Sequence, residues 1–138
     1  MRLAPLLALV LVAVGCTSGK QDAASLATAV DRYRKASLDA KKPLVDALEA
    51  VPCSDEDVCA AKSACLAAAR PTVKGMALMA EVRLALDAVD AGTLGVPEAA
   101  SRGLPGKLDE ASRLLEEGKS RVGECDARVL ALKSRYGL

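Results

Sequence analysis

The chain has 138 residues, with 19 Lys and Arg against 18 Asp and Glu; that length suits one domain, and the balance argues against a nucleic-acid partner, which needs a surplus of cations on one face. There is no His, so the commonest general base is missing and no Ser-His or Cys-His nucleophile pair can be built. Phe, Trp, Ile and Asn are also absent, Ala is the commonest residue, and 51% of the chain is apolar. That fraction excludes a disordered chain, but small side chains bury little area each, so such a core benefits from covalent staples.

The chain opens on Met1 and Arg2, then runs from Leu3 to Val14 without a polar residue. One positive charge before a short apolar stretch is the layout of a signal peptide. Twelve residues fall short of the roughly 20 that a helix needs to cross a hydrocarbon core, so export is expected and a spanning helix is not.

The stretch closes on Ala13-Val14-Gly15-Cys16. This run resembles the lipobox of bacterial lipoproteins, in which small or aliphatic residues and then Gly or Ala precede an obligatory Cys; Ala13 stands where Leu is usual. The resemblance covers the first sixteen residues and points to no family for the mature domain. It implies cleavage between Gly15 and Cys16, a diacylglyceryl group on the Cys16 sulfur, and often a fatty acyl chain of the palmitate kind on the new amine. An ordinary secretory signal ending on an incidental Cys is the plainer alternative. In the lipoprotein family an Asp after the Cys retains the protein at the inner membrane. Thr17 stands there in this chain, which favours the outer membrane, facing the periplasm, in a Gram-negative cell.

Loss of residues 1–15 removes Arg2 and leaves 18 basic residues against 18 acidic ones. Residues 16–22 then comprise the lipidated Cys and a short polar tether, and residues 23–138 the folded domain. From Ala23 the spacing of Leu26, Val30, Tyr33, Ser37, Ala40, Leu44, Ala47 and Val51 predicts one helical stripe, with a kink or break at Pro43. Ser54 is the expected N-cap of a second helix, with Asp55, Glu56 and Asp57 in its first turn. That helix should carry Val58, Ala61, Cys65 and Ala68 inward and stop or kink at Pro71.

A third helix over residues 72–91 carries apolar residues around most of its circumference, which predicts the most buried element of the four. Gly92 closes it, and residues 93–106 read as a loop with a helical turn after Pro97. In the last segment Leu104, Leu108, Ala111, Leu115, Gly118, Val122, Cys125, Val129, Leu132 and Tyr136 step by four and three. Asp109 to Arg113, Glu117 to Arg121 and Glu124 to Arg128 are acid-to-base pairs four apart on this helix. No segment alternates with a period of two, so the expected fold is all-α, an antiparallel bundle of about four helices.

Apart from Cys16, the cysteines are Cys53, Cys59, Cys65 and Cys125. An even number in an exported chain favours two disulfides. Cys59 and Cys65 on one helix would stand about 9 Å apart, beyond the ~7 Å that a disulfide spans, and Cys53 to Cys65 is further still. The expected pairs are therefore Cys53 with Cys59, clipping a helix entry, and Cys65 with Cys125, joining two inward stripes. In the chain-entropy model these contribute about 2 and about 4 kcal/mol. Zinc is disfavoured because the first two gaps are five residues each and His is absent.

Other candidate sites have ordinary structural readings. Gly103-Leu104-Pro105-Gly106 lacks the spacing and the Lys-Ser/Thr ending of a phosphate loop. Asp55, Glu56 and Asp57 lack the alternation of a calcium loop, and Asp87 with Asp90 suit a solvated helix face. Tyr33 and Tyr136 should pack at stripe positions with their hydroxyls reaching water, and Met76 and Met79 should fill gaps in an Ala-rich core. No catalytic residue, cofactor or metal is expected. The expected function is that of a lipid-anchored, non-catalytic scaffold or adaptor meeting another envelope protein; the alternative is a carrier of an apolar small molecule.

Overall fold

The computed structural model describes residues 15–138, leaving aside the side chains of residues 15–17, 100 and 101. The expected signal segment, including Ala13 and Val14 of the lipobox-like run, lies outside the described residues. Five α-helices follow in order, α1 (Gly15–Lys35), α2 (Lys41–Glu49), α3 (Glu56–Asp90), α4 (Val96–Ser101) and α5 (Leu104–Tyr136), with a 3-10 turn at Leu38–Ala40 between the first two. There is no strand among the described residues.

The frame is an antiparallel hairpin of α3 and α5, helices of 35 and 33 residues or about 50 Å each. α1 lies along one half of that hairpin, parallel to α3, as shown by Gly19 meeting Asp55 at one end and Tyr33 meeting Thr72 at the other. α2 folds back over the same half, so four helices surround the main core there. That core takes Ala23, Leu26 and Val30 from α1, Val45 and Leu48 from α2, Val58, Ala61 and Cys65 from α3, and Cys125, Val129 and Leu132 from α5. The other half of the hairpin carries a smaller cluster of Val82, Leu94, Ala99 and Leu104 at its tip, with Gly75, Ala111 and Leu114 buried between the two helices.

The bundle and the stripe Val58, Ala61, Cys65 and Ala68 are as expected, all four of these residues being buried. Several local expectations are corrected. The chain is helical across residues 17–22, and Gly19 and Asp22 are buried, so this segment is packed helix and not a tether. The break between α1 and α2 comes before Pro43; the proline sits in the first turn of α2, where its missing N–H has no helical acceptor to lose. In α2, Val45 and Leu48 face the core, not Leu44 and Ala47.

Pro71 neither stops nor visibly divides its helix, since α3 runs unbroken from Glu56 to Asp90. A proline here costs the Ala67 carbonyl its partner, a penalty of about 3 kcal/mol, and packing along α5 on both sides outweighs it. Residues 72–90 are also not the most buried part of the molecule: only Gly75 and Val82 are buried there, while Leu84 and Leu86 are 71% and 52% exposed. α1 meets that stretch at its beginning, where Tyr33 lies against Thr72 and Val73 packs on the main core, and the stretch then runs on beyond the end of α1 at Lys35. On α5, Arg113 pairs with Glu110 and Glu117 and not with Asp109, whereas the Glu117–Arg121 and Glu124–Arg128 pairs form as expected.

α3 and α5 approach closely because glycine stands at two contacts. A Cβ on Gly75 would lie 2.9 Å from Leu115 Cγ and 3.0 Å from the Ala111 carbonyl oxygen. Gly92 and Gly137 have φ of +71° and +63°, the left-handed conformation that lets each terminate its helix.

Candidate anchoring site

Cys16 stands in the first turn of α1, next to Gly15 at the expected cleavage point. The backbone there leads directly into a packed end of the bundle, where the start of α1, the start of α3 and the end of α5 converge. Gly19 permits this convergence: a Cβ at that position would come within 2.9 Å of the Tyr136 hydroxyl and 3.6 Å of Asp55 Cβ. Three residues further along, Asp22 is buried and its Oδ2 accepts from both the Ser54 backbone N–H and the Ser54 hydroxyl, each at 2.8 Å.

That pairing explains why Ser54 is not the N-cap of α3. Its hydroxyl is directed to Asp22, and the cap is Asp55, whose side chain accepts from Asp57 N–H at 2.9 Å. Arg135 in the last turn of α5 forms ion pairs with Asp55 and Asp57 across the same end. Burial opposes ionisation of Asp55, but the Asp57 N–H, the Tyr136 hydroxyl and the Arg135 guanidinium outweigh it and hold the carboxyl below its ordinary range. Burial and the Asp55 carboxylate push the Tyr136 hydroxyl the other way, upward.

The staples fall where the bundle is thickest. Cys53 pairs with Cys59 at a Cα separation of 5.1 Å, and Cys65 pairs with Cys125 at 4.6 Å. The first clips the loop carrying Ser54 to the opening of α3. The second joins α3 to α5 within the main core, beside Arg34, which reaches across from α1 to Asp126. Both distances fit disulfide geometry, and the pairing is the one that helix spacing predicts.

The tyrosines differ from expectation in one respect, because each hydroxyl has a protein partner. The Tyr33 hydroxyl lies beside the Thr72 side chain and that of Tyr136 beside the Asp55 carboxylate. Burial raises the Tyr33 hydroxyl, and Lys41 Nζ sits 4.3 Å above the centre of its ring. Met76 is half-buried and Met79 is 38% exposed, so the latter fills no core gap. Asp87 and Asp90 are exposed. Among the described residues no group of three His, Cys, Asp or Glu is placed to hold a metal ion, and no helix is long and apolar enough to cross a membrane.

Shallow grooves accompany this frame, two of them beside the shorter elements. One runs between α1 and α2 and is lined by residues including Ala24, Ala29, Leu44, Ala47 and Val51. The other lies at the hairpin tip between Leu84, Ala88, Leu94 and Leu104, edged by the Lys107–Glu81 ion pair. Both are open furrows. Comparison of the chain with protein-family models, curated proteins and solved structures finds no match.

Proposed function

We propose that this chain is an envelope lipoprotein, anchored through lipid on Cys16, that acts without catalysis as a scaffold or adaptor for another envelope protein. The observation that carries the reading is the run Ala13-Val14-Gly15-Cys16 at the end of a signal-like segment. The two cysteine pairs support it, because disulfides persist on the oxidising side of the membrane to which such a signal delivers a chain. The buried Gly19 and Asp22 add a physical consequence: the anchor would join a packed helix and hold the bundle close to the bilayer in a limited range of orientations.

A carrier of an apolar small molecule is the weaker reading. The α1–α2 groove has an apolar lining, but it is open along its length, whereas pockets for such ligands enclose most of their surface.

The test is the mass and location of the chain recovered from an exporting bacterial host. A product beginning at Cys16 with the added mass of lipid, found in the membrane fraction and released by Cys16→Ser, is expected. A soluble product without lipid would overturn the anchoring. Turnover of an envelope substrate by the purified protein would overturn the non-catalytic part.

A further inference from the structure

Two rows of side chains, one on each long helix, repeat at intervals of seven residues, the spacing that keeps positions in line along a seam between packed helices. On α3 the row is Val58, Cys65, Thr72, Met79 and Leu86; on α5, read backwards, it is Tyr136, Val129, Val122, Leu115 and Leu108. Both rows face the side on which α1 lies. Val58, Cys65 and Val129 share the core with α1, Thr72 meets Tyr33, and Tyr136 abuts Gly19.

α1 ends at Lys35, and exposure rises beyond that point. Val58, Cys65 and Val129 are 0%, 3% and 3% exposed, whereas Met79, Leu86 and Leu108 are 38%, 52% and 42% exposed. The groove in which α1 docks therefore continues along the hairpin with the same register and apolar character, but without a helix over it.

We propose that a second copy of this chain covers the open stretch. The two hairpins lie antiparallel there, so that two helices from each copy close around the Met79–Leu86 and Leu108–Leu115 positions. Three features select this occupant. The surface continues an interface that the fold already uses for helix packing, in the same seven-residue register. Its place relative to α1 sets the orientation, since a parallel copy would press one α1 against the other, while an antiparallel copy places its tip where α1 stops. Its extent fits as well: residues 72–90 span about 27 Å and the paired helices about 20 Å, giving about 500 Å² per copy and about 1,000 Å² in all. That lies at the lower limit for a specific interface, so the association is reversible and the monomer keeps its own fold.

Sedimentation of the purified full chain over about 1 µM to about 1 mM reads this directly, a range that brackets weak association. Passage from monomer to dimer is expected. Leu86→Glu, which places a carboxylate on the seam, should weaken the dimer at least tenfold. Leu84→Glu, roughly 160° round the helix from Leu86, should leave it unchanged. Leu108→Glu reads the same seam from α5 should Leu86→Glu lower the melting temperature. A monomer at every concentration, an association indifferent to the seam substitutions, or one weakened equally by Leu84→Glu overturns the proposal.

Discussion

Gly118 on α5 sits directly against Thr72 on α3: a Cβ at Gly118 would overlap the Thr72 hydroxyl and lie 2.9 Å from the Ala68 carbonyl oxygen. The Thr72 hydroxyl is itself committed to that carbonyl, which it reaches at 2.8 Å. Pro71 precedes this contact and Tyr33 closes over it from α1, so three helices meet where one side chain is missing.

The first prediction contrasts this glycine with Gly123, five residues on in the same helix. By helix propensity alone, Ala would be preferred to Gly at either position by about 1 kcal/mol. A methyl group on Gly123 would have nothing within 4 Å, so Gly123→Ala should stabilise by roughly 0.5–1 kcal/mol. Gly118→Ala should instead destabilise by about 1–2 kcal/mol, because overpacking exceeds the propensity gain. Urea unfolding midpoints of the two variants check this, and equal stabilisation of both would contradict the close approach of α3 and α5.

A second prediction concerns Asp22 and Ser54. Asp22→Ala leaves a backbone N–H and a hydroxyl without their acceptor at a site where Asp22 is 8% exposed. The expected loss is about 2–3 kcal/mol. Asp22→Asn retains an acceptor oxygen and should cost less, as should Ser54→Ala, which keeps the backbone bond. If Asp22→Ala unfolded at the same urea concentration as the parent, residues 17–22 would be a tether after all.

The third prediction is a stability window in pH. Asp55 is held below its unfolded value, so its contribution is fully present above the ordinary carboxylate range and is lost as pH falls through the folded value, in acid below about 4. Tyr136 is raised, so its contribution is present below about 10 and is lost as pH rises through the folded value. Tyr33 is raised too and adds to the alkaline loss. Melting temperature should therefore fall at both extremes. Tyr136→Phe should reduce the alkaline fall without abolishing it, and an alkaline limb as steep as the parent's would exclude Tyr136 from that role.

The sequence carried much of the fold because its two strongest patterns are local. Cys65 and Cys125 fall on inward stripes that spacing alone reveals, and helix rise then leaves one sensible pairing with Cys53 and Cys59. What it concealed depends on partners distant in the chain. Pro71 reads as a stop until α5 is seen to run alongside, and Ser54 reads as a cap until Asp22, 32 residues earlier, takes its hydroxyl. The apolar circumference of residues 72–90 reads as deep burial, yet how deeply a helix is buried depends on how many neighbours reach it, and α1 ends too soon. Where α1 begins, the close approach of Tyr136 to Gly19 could not be read in the sequence, because a glycine gives no sign of what approaches it.

The Cys65–Cys125 bond also bears on how the chain would survive cutting. It links the two long helices well away from the exposed tip, where Arg102 offers a trypsin site. A nick at Arg102 would separate the chain into two pieces that remain one covalent particle, with Cys16 still joined to the C-terminal piece. Reduction alone would part them on a denaturing gel, so a protease could open the tip without freeing either piece from the other.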